Sequence, residues 1–251
     1  VVEWIWETDD FAALWLSDAN DRIPSLLRYT SRFAYRDDFA AHRVTVRQRY
    51  GDEEFEQIQL ALHTLTNSDM RIEILGGTSR YKDSDGSQRV YRIIGARNLY
   101  HAAVLYQFTQ GEIDGRIRLR LCRPEDLATR LSGIVPPRNP GAQPPITVHP
   151  SDLRDGRTGL TKNTAVERYQ RLLNGPADGG GSAALHVGPF NTDPKPSNVV
   201  QWYDLADGRY IELRHEHITV RPVSARDIAA RFTAWIDRAL QREREEGDGV
   251  W

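Results

Sequence analysis

The chain contains one cysteine and one methionine among 251 residues. A single thiol, Cys122, excludes an intrachain disulfide, the pattern of a protein kept in a reducing compartment. Lysine is scarce too: Lys82, Lys162 and Lys195 are the only three, and arginine supplies the other cations. The formal net charge is -2. A balance so close to zero gives no global field for gripping nucleic acid or an anionic membrane. No run approaches the roughly 18–20 apolar residues of a membrane span. Residues 1–10 hold acids and tryptophans where a secretory leader has basic and then apolar regions, so a cytoplasmic location is expected.

Catalytic motifs are missing as well. There is no GxGxxG and no phosphate loop. The stretch Asp178-Gly179-Gly180-Gly181-Ser182 lacks the phosphate-loop lysine, and residues 178–181 read as a glycine turn. His215-Glu216-His217 has the spacing that puts two imidazoles on one face of a strand, but no third ligand stands beside it. An exposed charged strand accounts for it equally. Cys122 has no histidine nearby in sequence and reads as a buried structural thiol. Asp9-Asp10 and Asp37-Asp38 read as carboxylates at helix starts. The aromatics are spread as in a core, not interleaved with bases as on an RNA-binding platform. No catalytic residue, cofactor or metal is implied, and attention moves to surfaces.

What is present is periodicity. Residues 1–7 alternate weakly, as a short strand. Helices are expected over 11–20, after cap candidates Thr8, Asp9 and Asp10, and over 36–50 and 53–65. The period then shifts to two. Strands are expected over 70–75, 89–97, 100–107 and 117–122, with Gly76-Gly77 ending or bending the first. In the last of these, Ile117, Leu119 and Leu121 alternate with Arg116, Arg118 and Arg120, the mark of a sheet with one wet face. Pro124 opens a helix over 125–134. Residues 136–155 are proline-rich and read as a linker. A helix over 164–174 follows, then strands over 184–187 and 199–205, and a strand or hairpin over 209–220. Ser224 caps a helix over 225–242 whose apolar stripe is Ile228, Phe232, Trp235, Ile236 and Ala239.

Two segments about 100 residues apart look alike. Gly115-Arg116, a strand, Arg123-Pro124 and the helix Asp126-Leu127-Ala128-Thr129-Arg130-Leu131 form one. Gly208-Arg209, a longer strand, Arg221-Pro222 and Asp227-Ile228-Ala229-Ala230-Arg231-Phe232 form the other. The pattern predicts two related halves, 1–135 and 156–243, joined by the proline-rich stretch 136–155 within one compact domain and followed by a charged tail, 244–251.

The second half carries Trp202-Tyr203-Asp204, then Asp207-Gly208-Arg209-Tyr210, then Val220-Arg221-Pro222 and a terminal helix. This series resembles the EspG family, associated with type VII (ESX) secretion in actinobacteria, and the order of helices and strands is similar from about residue 11 to 240. The resemblance implies an α/β (α+β) fold: two pseudo-symmetric sheet-plus-helix halves around a central, mostly antiparallel sheet. It implies a cytosolic chaperone that binds the helical tip of the PPE protein in a PE–PPE pair. Such a chaperone keeps the pair soluble and directs it to its secretion machine. The family's partner-contacting loop, between the second and third strands, falls on residues 79–87, a polar segment with an Asp85-Gly86 turn signal. That makes Arg80, Tyr81, Lys82, Asp83, Asp85 and Arg89 candidate contacts. The family's C-terminal helical region maps to 225–242 and adds Ile228 and Trp235, although Trp235 also fits the core stripe. The same loop residues read without a partner are a solvated hairpin tip. Two other functions stay open at this stage: an enzyme or small-molecule binder with a closed pocket of about 300–1,000 Å³, and a subunit that uses its sheet to self-associate as a homodimer.

Overall fold

The computed structural model describes residues 2–81, 86–154 and 165–248. Strand β1 (Val2–Trp6) is followed by helices α1 (Thr8–Trp15), α2 (Arg36–Arg47) and α3 (Asp52–Thr66). A meander follows: β2 (Met70–Thr78), β3 (Arg89–Arg97), β4 (Ala102–Gln110) and β5 (Ile113–Cys122). A 3₁₀ turn at Pro124–Asp126 leads into α4 (Leu127–Ile134). The order then repeats: β6 (Ile146–Val148), α5 (Pro150–Arg154), α6 (Ala165–Leu173), β7 (Ala177–Val187), β8 (Asn198–Leu205), β9 (Gly208–Arg214), β10 (Ile218–Pro222) and α7 (Ala225–Asp248).

All ten strands join one sheet in the order β1-β5-β4-β3-β2-β7-β8-β9-β10-β6. The ladders within it are antiparallel. Read outward from the β2/β7 seam, each side is a four-strand meander closed by the short strand that precedes its helices. The repetition runs through the whole topology. Its matching corners are Arg123-Pro124, just after β5, and Arg221-Pro222, the last two residues of β10. Gly208-Arg209 does not match Gly115-Arg116, because the "longer strand" of the second copy is the hairpin β9–β10.

Alternation places the core. On one sheet face Ile72, Ile74, Tyr91, Ile93, Val104, Trp202 and Ile211 are covered by α4 and α7, which pack on each other. Ile228 and Trp235 belong to that cluster at 1% and 2% exposure. They therefore do not present themselves to a partner. The apolar stripe is the face that glues α7 to the sheet, where each large apolar side chain contributes about 1.5–3 kcal/mol. On the opposite face, α1 and α3 cover Ile94, Leu105, Ile117 and Leu119, and Tyr169 of α6 joins Ile146, Val148, Tyr210 and Val220.

Several boundaries differ from expectation for local reasons. Helix α1 is capped by the Glu7 backbone with no side-chain cap. Asp9 instead accepts from the Tyr29 hydroxyl at 3.1 Å, and Asp10 pairs with Arg49 at 2.7 Å. The helix stops at Trp15 because Ser17 and Asn20 close a turn on each other's backbone, and Asn20 reaches Thr66 at the end of α3. At the other terminus α7 runs on to Asp248 through good helix formers such as Gln241, which donates to Glu245 at 2.9 Å.

Residues 178–181 are not a turn. They form the first half of β7, paired to Thr78, Gly77 and Gly76 on one side and to β8 on the other. Glycine is there for space. A Cβ on Gly181 would lie 2.6 Å from the Tyr91 hydroxyl, and one on Gly76 would overlap the Tyr91 ring. That ring fills the room the two glycines leave. Its hydroxyl donates to Gly180 O at 2.7 Å and accepts from Trp202 Nε1 at 3.2 Å. Burial pushes the Tyr91 phenol far above its ordinary pKa, so it stays a donor.

Residues 136–154 do more than join the halves. Strand β6 pairs with β10, Pro140 bridges to Arg209, and Gly141 N donates to Arg209 O at 3.0 Å.

Candidate functional site at the loop end of the sheet

The antiparallel order gathers certain connections at one end of the sheet. These are the β2–β3 loop, the β4–β5 turn, the β8–β9 turn, the entry to β7 and the start of α7. The proline-rich stretch crosses the same end. Its wall is a clasp built from the Trp-x-Asp and Asp-Gly-Arg-Tyr residues. Arg209, 1% exposed, gives a fork to Asp204, with Nε to Oδ1 at 2.6 Å and Nη2 to Oδ2 at 2.8 Å. The same Nη2 donates to Pro136 O at 2.8 Å. Tyr210 donates to Asp207 at 2.5 Å and accepts from the Gln143 amide at 2.9 Å. Gly208 has φ of 144° and lies against Pro140, whose oxygen would be 2.5 Å from a Cβ there. The motif is a structural lock that fixes residues 136–143 against the β8–β9 hairpin.

The β2–β3 loop rises beside this wall. Its first limb is pinned: Ser79 donates twice to Asp178 O, at 2.6 and 2.8 Å. Arg80 donates to Pro137 O at 3.0 Å. Gln110, at the end of β4, donates to Tyr81 O at 2.9 Å and to Ser87 O at 3.3 Å, drawing the two limbs together. The Arg89 guanidinium stands 5.8 Å from the centre of the Tyr81 ring and 5.2 Å from that of Phe108. Such cation–π contacts hold an aromatic ring in place at about 0.5–1 kcal/mol each when exposed. Tyr81 is 45% exposed. It is an outward-facing aromatic held by a base beneath it.

The structure thus brings Arg80, Tyr81 and Arg89 together. Lys82, Asp83 and Asp85 lie outside the described residues. Gly86, the turn signal's second member, has φ of 78°. Phe108 and Gln110 were not singled out from sequence. They sit at the end of the neighbouring strand, and strand pairing alone reveals them.

The pseudo-symmetric counterpart of this loop is the β7–β8 connection, residues 188–197, at the opposite end of the sheet. It is docked. Phe190 packs edge-on against Trp15 at 6.0 Å and beneath Arg71 at 4.8 Å, and Asn191 donates to Ala19 O at 2.8 Å.

The remaining sequence candidates lie elsewhere. His215 and His217 sit at the β9–β10 turn, where His217 packs edge-on to His149 at 5.3 Å. Among the described residues no group of three or more His, Cys, Asp or Glu is placed to hold a metal ion. Cys122 is half-buried, and burial pushes its thiol up to about 11, so it is protonated at neutral pH. No described helix is long and apolar enough to cross a membrane.

A single antiparallel sheet with helices on both faces, a duplicated topology and loops pinned at one end define an α+β fold. A profile of the EspG family matches residues 7–234, and the chain belongs to the EspG family. Among solved structures it is similar to EspG5, a Mycobacterium tuberculosis type VII secretion system chaperone determined in complex with a PE25–PPE41 dimer. The TM-score is 0.51 at 12% identity, covering 91% of this chain and 94% of that one, a likeness of fold. HtdX of Mycobacterium tuberculosis aligns over 89% of this chain and 98% of its own at 12% identity, but its TM-score of 0.18 carries no weight. No curated protein matches the chain.

Proposed function

We propose that this protein is a type VII secretion chaperone that works by binding, not by catalysis. It grips the helical tip of a PPE-like protein in a PE–PPE-like pair with the loop end of its sheet, keeps the pair soluble in the cytoplasm and passes it on. Membership of the EspG family supports the class of function. The observation that carries the site is Tyr81, exposed and held beside the clasped wall on Arg89, whose guanidinium also stands over Phe108. A helix tip exposes apolar side chains and unpaired backbone groups. A pre-positioned tyrosine offers both apolar area and a hydroxyl at low entropic cost. Arg80, beside it, supplies part of the polar rim.

The test is co-expression with the PE–PPE-like pair from the same genome, followed by size exclusion and titration of the purified complex. A 1:1 complex between chaperone and pair is expected. Tyr81→Ala should weaken it by roughly 1–2 kcal/mol, about 5- to 30-fold, as for an aromatic anchor. The melting temperature should hardly move, because the ring is outside the core. A pair that stays soluble and unbound without this protein refutes the chaperone reading. An unchanged affinity in Tyr81→Ala removes the loop from the interface.

A further inference from the structure

We propose that the groove between α6 and the β8–β9 turn seats an acidic, extended segment of a partner polypeptide. The inference rests on reading the chain as a polypeptide-binding protein and adds a second point of grip with its own chemistry. The groove has a volume of about 560 Å³. Ile146, Leu172 and Leu205 give it an apolar floor. Arg168 and Arg171, three apart on α6 and therefore on one side of the helix, line it together. Neither guanidinium pairs with a carboxylate among the described residues. The acid in the lining, Asp207, already accepts from the Tyr210 hydroxyl and the Ala142 amide. Among the described residues the groove is thus positive, with two guanidinium forks open to carboxylates.

Its continuation favours a chain over a small anion. An adjoining groove of about 470 Å³ shares Ala206 and Asp207; its cations are engaged, Arg138 with Asp178 at 2.8 Å and Arg80 with Pro137 O at 3.0 Å, so it extends the path while the unpaired charge stays on α6. The pair of grooves makes a path along the clasped wall from the β2–β3 loop to α6. A partner held at Tyr81 can lay a flanking acidic stretch along this path.

The probe is a fluorescein-labelled, acetylated and amidated hexaglutamate peptide, titrated by fluorescence anisotropy at two ionic strengths. Binding is expected to weaken with salt. It should fall at least ~10-fold in Arg168→Glu/Arg171→Glu, since reversing two charges turns attraction into repulsion. The same variant should acquire binding to a hexalysine peptide. Arg116→Glu/Arg118→Glu, on β5 in the other half, is the control and should leave hexaglutamate binding unchanged. Circular dichroism melts establish that each variant is folded. Equal losses in the two double variants, or no loss in the α6 variant, overturn the proposal. Displacement of the peptide by inorganic phosphate or citrate at equal concentration overturns it in favour of a small-anion site. Retention of the PE–PPE-like pair is a separate readout, so a failed groove and a failed chaperone reading give different results.

Discussion

Removing the Asp204 carboxylate tests the clasp. Arg209 is buried to 1% exposure and its fork is matched by two short bonds to Asp204, with Pro136 O as the one further acceptor of that guanidinium among the described residues. In Asp204→Ala the guanidinium stays buried with one carbonyl in place of a carboxylate and a carbonyl. Stranding a buried charge in this way costs about 3–5 kcal/mol. That is a large part of the roughly 5–15 kcal/mol that holds a domain together. For a chain of this size each kcal/mol lowers the melting temperature by about 2–4 °C, so a fall of roughly 6–20 °C is expected. Urea unfolding followed by tryptophan fluorescence and far-ultraviolet circular dichroism measures the loss, with an unchanged m-value as the sign that only stability moved. The decisive arm is Asp204→Ala/Arg209→Met. It removes the stranded charge and leaves only Pro136 O without its donor, at about 1–3 kcal/mol. The double variant should therefore be more stable than the single one. A loss below about 1 kcal/mol in Asp204→Ala, or a double variant no better than the single, would refute the reasoning that an ion pair and not packing locks this wall.

Two further perturbations read other parts of the fold. Gly76→Ala places a methyl in the Tyr91 ring, with Gly180 O also only 2.5 Å away. Overpacking of about 1–3 kcal/mol is expected, and Gly76→Ala/Tyr91→Leu should be more stable than Gly76→Ala alone in the same urea assay. Asp227 caps α7 by accepting from the Ser224 hydroxyl at 2.7 Å and the Ser224 amide at 2.9 Å, and these bonds hold its carboxyl below 3.8. A lowered folded value means the stabilisation is complete above the unfolded value and disappears as pH falls through the folded one. The stability gap between wild type and Asp227→Asn should thus be constant from neutral pH down to about 5 and close below about 4; a gap that persists at lower pH would show that the charge is not what caps the helix.

Much of the architecture was legible because it is written in short-range periodicity. The 3.6-residue pattern of 53–65 gave α3 nearly as it stands, and the two-residue alternation of 117–122 gave the second part of β5. Pro124 and Ser224 marked the starts of α4 and α7 with local stereochemistry. The site was half legible. Arg80, Tyr81 and Arg89 were reachable from the family resemblance. Phe108 and Gln110 were not, because nothing in their own neighbourhood distinguishes the end of β4 from any other strand end. Ile228 and Trp235 misled for a related reason: an apolar helical stripe looks the same whether it awaits a partner or lies on its own sheet.

The amino-acid sequence by itself determined most of the elements, the Arg-Pro corners and the absence of disulfide staples, since each depends on residue types or on neighbours a few residues apart. Only the tertiary structure decided that the glycines of 178–181 run through a central strand. Alone they are the most flexible residues of the chain, and the Tyr91 ring and the β2 backbone pressed against them are what hold them extended. It also decided which of two equivalent loops is docked. Phe190, between Trp15 and Arg71, ties one connection to the body, while Tyr81, on Arg89, turns the other outward. Contacts between residues far apart in sequence draw that distinction, and no local pattern encodes them.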